Sequence, residues 1–174
     1  MSRAFTKEDD SLQAPIIPPR AALPPGVPNY VTPRGLQQLR EELEELETER
    51  TKAEANRDDA AERTLRITII KGKISALTQR LASARVIDPR EQPADEVRFG
   101  ATVTLRTLRG GKAGTVRTFT IVGVDEASVQ EGKIAFIAPI ARAVTGKQAG
   151  DTAILQLGRA QEEVVITSIS YEVT

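Results

Sequence analysis

The chain has 174 residues, with 24 Lys and Arg against 24 Asp and Glu and with no Cys, no His and no Trp. The lack of Cys and His excludes thiol and imidazole catalysis, disulfides and zinc sites, so any bound metal must be a hard, oxygen-ligated cation. A formal net charge of zero gives no basis for tight nonspecific binding to nucleic acid, and no segment approaches the ~20 apolar residues of a membrane span. We therefore expect a protein partner and a cytoplasmic location.

Residues 1–31 are rich in proline. Seven of the ten prolines fall in the first 33 residues, which excludes a helix or an interior strand there, because proline lacks the backbone N–H. We predict an extended arm over residues 1–31. It acts either as a plain linker, the commoner role of such compositions, or as a docking segment through Ile16, Ile17 and Leu23.

Thr32 and Pro33 mark the start of a first helix, because threonine caps a helix N-terminus and proline fits its first position. Apolar residues then recur at alternating steps of three and four in two stretches, which is typical of coiled-coil seams. The seam residues are Leu36, Leu39, Leu43 and Leu46, and then Ile67, Ile70, Ile74, Leu77 and Leu81. Acidic residues flank the first seam and basic residues the second, which favours their pairing. We predict an antiparallel coiled-coil hairpin over residues 32–87, with Leu43 opposite Leu77 and a turn centred on residue 60.

A short linker, residues 88–95, contains Pro89 and Pro93 and separates the hairpin from a series of strand-like runs. The runs are Ala101–Arg106, Val116–Gly123, Lys133–Ala138, Thr152–Leu157 and Glu163–Val173, and one short helix, Pro139–Val144, interrupts them. Glycine-rich segments at 110–114 and 146–151 are interpreted as turns, because the spacing of a phosphate-binding loop is missing. We predict a compact antiparallel α+β domain over residues 96–174.

Three carboxylates, Asp58, Asp59 and Glu62, crowd the predicted turn of the hairpin. One interpretation is capping, because Asp59 and Glu62 have the spacing of a capping box that satisfies free N–H groups at the start of the second helix. The other is a shared metal site, in which these oxygens hold Mg²⁺ once the rod enters another protein's active site. The three carboxylates do not complete such a site, so a partner must supply the remaining ligands.

Several motifs follow one another in order across both predicted domains. They are Thr32-Pro33-Arg34-Gly35, Leu39 to Leu43, Ala84 to Asp88, Val97 to Val103, Ile121 to Glu126, Ala138 to Val144, Gly146-Lys147 and Gly150-Asp151. Through these motifs, residues 30–174 resemble the bacterial Gre transcript-cleavage factor family, GreA and GreB. The resemblance implies a coiled-coil finger that enters the secondary channel of RNA polymerase, and an FKBP-like C-terminal domain that grips the rim of the channel.

The resemblance also implies roles for individual residues. In the family, an Asp-x-x-Glu pair at the fingertip helps to hold the second Mg²⁺ of the polymerase and promotes hydrolysis of backtracked RNA, and Asp59 and Glu62 match this pair. Asp125, Pro139 and Ile140 are the residues expected to dock on the polymerase. The chain is then expected to have no catalytic residues or cofactor of its own, and to be a monomer, since each seam has an intramolecular partner.

Two roles stay open for the finger. Aligned on Asp59 and Glu62, each helix is shorter than in the cleavage factors by about one heptad, or roughly 10 Å. Short-finger relatives, such as the regulator of nucleoside diphosphate kinase group, occupy the channel without cleaving, so the finger either stimulates cleavage or obstructs the channel. Two other classes remain as alternatives: an FKBP-like prolyl isomerase, whose site would be lined by aromatic side chains, and a coiled-coil adaptor that never contacts polymerase.

Overall fold

The structure, a computed structural model, describes residues 20–57 and 59–172. Residues 1–19, Asp58 and residues 173–174 lie outside this part of the chain, and with them the expected docking of Ile16 and Ile17. A helical hairpin is followed by a five-stranded sheet with one short helix. The predicted α+β class is confirmed.

The first helix, α1 (Pro33–Ala55), begins where the capping chemistry predicts. The Thr32 hydroxyl accepts a hydrogen bond from the Gly35 N–H at 2.9 Å, and Pro33 lies in the first turn, where its missing N–H costs nothing. The second helix, α2 (Ala60–Ser83), packs beside α1. At ~1.5 Å per residue each helix is about 35 Å long, so the hairpin is a rod. Within residues 20–57 and 59–172, neither helix is long and apolar enough to cross a membrane.

Leucines close the seam between α1 and α2. Leu39 and Leu77 are buried together with Val31 of the arm. The half-buried side chains that pack against them are Leu36, Leu43, Leu46, Leu81 and Ala84. The period of three and four in the sequence therefore identifies the buried face of each helix.

The turn of the hairpin lies at residues 56–59, so the predicted centre at residue 60 is wrong. Asp59 caps α2 and starts it at Ala60, whereas the predicted pairing placed residue 60 in the middle of the turn. Ala53, which the predicted register set against Ile67, is buried and borders a small cavity with Arg63 and Arg66.

The second helix ends at Ser83, earlier than the predicted 87, because the residues that follow pair with the arm. In the arm, β1 (Asn29–Val31) lies parallel to β2 (Ala84–Val86). The Asn29 side-chain amide also donates to the Arg80 carbonyl at 2.9 Å, which ties the arm to the last turn of α2. The proline-rich arm thus contributes a short strand with a single partner.

The C-terminal part forms one mixed sheet. Its strands are β3 (Ala101–Arg109), β4 (Val116–Val122), β5 (Lys133–Ala135), β6 (Thr152–Leu157) and β7 (Ala160–Tyr171), in the spatial order β5-β4-β3-β7-β6. The prediction of a wholly antiparallel domain is wrong at one pair, β4 with β5. Residues 123–132 carry the chain back along β4, so that β5 runs parallel to β4 from the level of Thr120. The helix α3 (Pro139–Val144) has the predicted bounds and packs against β6.

Apolar side chains between this sheet and α3 form the main core. Those that are fully buried include Val97, Val103, Leu105, Ile121, Val144, Leu155 and Ile166. Along β3, buried Val103 and Leu105 alternate with half-buried threonines, which is the period of two expected of a strand with one face on the core. This alternation is why the strands could be located from the sequence.

Close contacts join the base of the hairpin to the sheet domain. The Thr32 hydroxyl donates to the Glu126 carboxylate at 2.6 Å. Gly123 lies against the Tyr30 carbonyl, and a Cβ at position 123 would stand 2.5 Å from that oxygen. Glycine is required there because any side chain would force the arm away from the sheet. The arm, the hairpin base and the sheet domain therefore meet at one junction.

Candidate functional site

Both helix ends at the tip of the hairpin are capped. At the end of α1, the Asn56 N–H donates to the Ala53 carbonyl at 3.3 Å. At the start of α2, Oδ1 of Asp59 accepts from the Ala61 N–H at 2.9 Å and from the Glu62 N–H at 3.1 Å. Asp59 is therefore an N-cap, which confirms the capping interpretation for this residue.

Asp59 and Glu62, predicted to act together, border one shallow cavity of about 60 Å³ at the tip. Both are exposed, and the capping bonds occupy one of the two Asp59 oxygens. Asp58, the third predicted carboxylate, lies outside the described residues. Within the part of the chain that the structure describes, no three acidic side chains come together as a metal site. Among the described residues, Asp59 and Glu62 do not by themselves complete such a site, so a cation held by them would need further ligands.

A basic residue that the sequence analysis did not single out closes the tip. The Arg63 guanidinium donates to the Asn56 carbonyl at 3.0 Å, across the turn from α2 to the end of α1. Arg66 borders the same cavity as the two carboxylates. The tip thus combines exposed carboxylates with nearby guanidinium groups. No local pattern identifies this role of Arg63, because its partner Asn56 lies on the other side of the turn, just beyond the end of α1.

Asp125, predicted to dock on the polymerase, is held by the chain itself at the junction. Its carboxylate accepts from Nη1 of Arg20 at 3.0 Å and lies 3.5 Å from Nε of Arg80, and its side chain is only 8% exposed. Arg20 also pairs with Glu42. Burial opposes the charge on Arg20, but Asp125 and Glu42 outweigh it and raise the pKa of the guanidinium. Arg20 and Arg80 were missed from the sequence, where nothing local marks them as partners of Asp125.

Pro139 and Ile140, the other predicted docking residues, open α3. Pro139 is exposed and Ile140 is half-buried against the core. The structure thus brings Asp59 together with Glu62 at the hairpin tip, and Pro139 together with Ile140 on the sheet domain. The two groups lie in different parts of the molecule, and Asp125 lies at the junction.

Three aromatic rings from separate segments meet beside this junction. The Tyr30 ring of β1 lies 5.8 Å from the Phe99 ring and 5.5 Å from the Phe136 ring, and the two phenylalanine rings are 5.6 Å apart, measured between centroids. They border a cavity of about 500 Å³ between the arm and the sheet domain. These three residues were not predicted to form a group, because only the folded chain brings them together.

Two sequence comparisons with known proteins agree on one family. Residues 92–171 match the family model described as transcription elongation factor GreA/GreB, C-terminal. The chain is similar to the transcription elongation factor GreA of Methylococcus capsulatus, with 38% identity over 155 residues that cover 81% of this chain and 96% of the relative. It is likewise similar to the transcription elongation factor GreB of Neisseria meningitidis serogroup A, with 38% identity over 157 residues that cover 82% of this chain and 94% of the relative. The solved structure of a transcription elongation factor GreA/GreB from Nitrosomonas europaea is 20% identical in sequence to this chain, with a TM-score of 0.41. The match covers 83% of this chain and 99% of that one.

Proposed function

The chain belongs to the GreA/GreB family of transcription elongation factors, and on that basis we propose that it regulates elongation by binding RNA polymerase at its secondary channel. The sheet domain docks on the channel rim and the hairpin enters tip first. RNA polymerase is then the partner, and nucleic acid is contacted only through the elongation complex. The site of action is the cytoplasm, where the polymerase works.

The shape of the hairpin and the chemistry of its tip support this proposal. A rod about 35 Å long carries exposed Asp59 and Glu62 at its end. A narrow channel admits such a rod without displacing the sheet domain from the surface. The exposed carboxylates are the first groups that would meet an active site inside the channel.

Asp59 and Glu62 fit a shared Mg²⁺, because carboxylate oxygens are the ligands this cation prefers. One oxygen of Asp59 is used by the helix cap, which leaves the other oxygen and the Glu62 carboxylate to face the polymerase. Bound Mg²⁺ lowers the pKa of a coordinated water and stabilises a departing oxygen. The hydrolytic site would belong to the polymerase, and this chain would orient two ligands in it.

The capping bonds also support a second candidate role, in which the finger occupies the channel without stimulating cleavage. In that case Asp59 serves the hairpin itself, since its Oδ1 already satisfies two N–H groups of α2. Regulation would then arise from obstruction and from competition with other factors that use the channel. The two roles differ in whether the charge of the carboxylates is needed once the cap is kept.

Docking is proposed to use Pro139 and Ile140 directly. Pro139 is exposed and available without rearrangement. Asp125 can contribute only after Arg20 releases it, because Arg20 and Arg80 cover its carboxylate. The arm would therefore compete with the polymerase for this residue.

The decisive experiment measures RNA cleavage in stalled, backtracked polymerase complexes with Mg²⁺ while polymerase binding is followed in parallel. The test variant is Asp59→Asn/Glu62→Gln, because Asn keeps the helix cap while both charges are lost. Glu45→Gln, an exposed carboxylate away from the tip, is the matched control. Cleavage lost only in the double variant, with binding intact, supports the shared metal site. Binding without cleavage in every variant supports channel occupation, and no binding by the natural chain refutes the proposal.

A further inference from the structure

The cavity bordered by Tyr30, Phe99 and Phe136, called here the aromatic pocket, has the size and lining of a binding site. Its volume of about 500 Å³ lies within the ~300–1,000 Å³ typical of ligand sites. The three rings are only partly buried, and Ile87 and Ile121 add apolar wall. Apolar surface that stays in contact with water favours a ligand that would cover it.

Two guanidinium groups give the pocket a positive rim. Arg98 and Arg142 line it, and none of the described residues that line it is acidic. Arg98 forms an ion pair with Glu96, at 3.0 Å between Nη2 and Oε1. Arg142 is exposed, and its side chain makes no ion pair or hydrogen bond within residues 20–57 and 59–172. Arg142 is therefore the cation available to a ligand.

We propose that the aromatic pocket binds a short acidic peptide segment in which an aromatic side chain stands next to a carboxylate. The ligand ring packs edge-on against Tyr30, Phe99 and Phe136, since aromatic rings prefer tilted contacts at the centroid separations these three already show. The neighbouring carboxylate pairs with Arg142, whose planar guanidinium matches a carboxylate in two parallel hydrogen bonds.

The lining favours a peptide carboxylate over a nucleotide phosphate. Phosphate sites usually present backbone N–H groups from a glycine loop or the N-terminus of a helix. None of the described residues that line this pocket is a glycine, and the backbone N–H of Arg98 is already donated to the Tyr171 hydroxyl at 3.0 Å. The pocket therefore offers side-chain cations beside apolar rings.

Binding at the aromatic pocket would also depend on the junction between the arm and the sheet domain, because residues from both of them line the pocket. Tyr30 comes from the arm and Ile87 follows β2, whereas Phe99, Phe136 and Arg142 belong to the sheet domain. A ligand that contacts both sides stabilises the arrangement in which the arm is packed on the sheet. This inference does not depend on polymerase binding.

The test is a titration of the full chain, labelled on its tyrosine rings, with three synthetic peptides followed by NMR. The probes are acetyl-Asp-Phe-Asp-amide, acetyl-Asn-Phe-Asn-amide, which lacks the charge, and acetyl-Asp-Ala-Asp-amide, which lacks the ring. Tyr30 and Tyr171 are the two tyrosines of the chain, so the Tyr30 signal is readily assigned with a Tyr171→Phe variant. We expect a saturable shift of Tyr30 with the first probe, and binding weaker by about tenfold, or ~1.4 kcal/mol, with each of the others.

Two variants separate a specific site from general attraction. Arg142→Gln is expected to reduce affinity for the acidic aromatic probe to that of its amide analogue, and to leave the amide analogue unchanged. Arg159→Gln, an exposed arginine that does not line the pocket, is the matched control and should bind like the natural chain. Equal affinity for the three peptides, an unchanged affinity in Arg142→Gln, or tighter binding of adenosine monophosphate than of the acidic probe overturns the proposal.

Discussion

Asp59 combines a structural and a proposed functional role, and substitutions can separate the two. In Asp59→Ala the Ala61 and Glu62 N–H groups lose the oxygen that accepts them at 2.9 and 3.1 Å. Loss of such a cap costs about 1 kcal/mol, within a usual range of ~0.5–2. Because this cap is exposed to water, which can replace part of the hydrogen bonding, we expect the lower half of that range.

Asp59→Asn should behave differently. Asparagine caps helices about as well as aspartate, so both hydrogen bonds can form through the amide oxygen. What is lost is the attraction of the charge to the N-terminus of α2, about 0.3–1 kcal/mol at low salt. This loss should shrink as salt is added, whereas the loss in Asp59→Ala should retain a part that salt does not affect.

The assay is urea unfolding followed by far-UV circular dichroism at low and high salt, together with RNA cleavage by the same variants. Glu45→Gln, far from the helix N-terminus, serves as the control for a changed surface charge. If the alanine and asparagine variants lose the same stability at high salt, the cap does not contribute as argued. If Asp59→Asn stimulates cleavage as well as the natural chain, the charge of Asp59 is not used in the active site.

Three further predictions concern the arm, the sheet and the seam. Arg20→Ala removes the ion pair between the arm and Asp125, the carboxylate predicted to dock on the polymerase. Polymerase binding should then tighten by about tenfold, the equivalent of one charge-assisted hydrogen bond of ~1.5 kcal/mol. Unchanged or weaker binding in a fluorescence titration would show that Arg20 does not compete with the polymerase for Asp125. The Thr107 hydroxyl and Arg117 lower the pKa of Glu162, so its ionised form stabilises the fold above the ordinary carboxyl pKa of about 4.3, and this stabilisation is lost as the pH falls through the lowered value. Glu162→Gln should therefore flatten the acid side of the stability–pH curve, and an unchanged slope would count against it. Leu77→Ala, at a fully buried seam position, should cost about 2–5 kcal/mol in urea unfolding, and a loss below ~1 kcal/mol would show that the seam does not support the hairpin.

Features that depend on neighbouring residues were predictable. The start of α1 follows from a threonine and a proline side by side, and the structure has the Thr32 cap at that point. The bounds of α3 and β6 also agree with the sequence pattern. In each case the physical cause acts within a few residues, through a cap, a missing N–H or the alternation of buried side chains.

Errors arose where two distant segments had to be matched. Both seams were recognised, but periodicity does not say which turn of one helix faces which turn of the other, and the cap at Asp59 placed the turn at 56–59 rather than around 60. The end of α2 was missed for a related reason, since Ala84 leaves the helix to pair with Asn29 of the arm. Backbone pairing over that separation has no signature in either segment alone.

The sequence by itself determined the fold class, because short-range rules located the capped hairpin, its tip carboxylates and most of the strands. The composition, with no Cys and no His, also excluded thiol and imidazole catalysis, disulfides and zinc sites. Only the tertiary structure decided how these parts are joined. The hydrogen bond from Arg20 to Asp125 spans 105 positions, and Tyr30 meets Phe99 and Phe136 from a separate segment. An ion pair or a ring contact depends on distance in space, and many partners along a chain satisfy the same local chemistry. The ion pairs of Asp125 and the aromatic pocket therefore could not be predicted from either segment alone, because only the fold selects one set of partners.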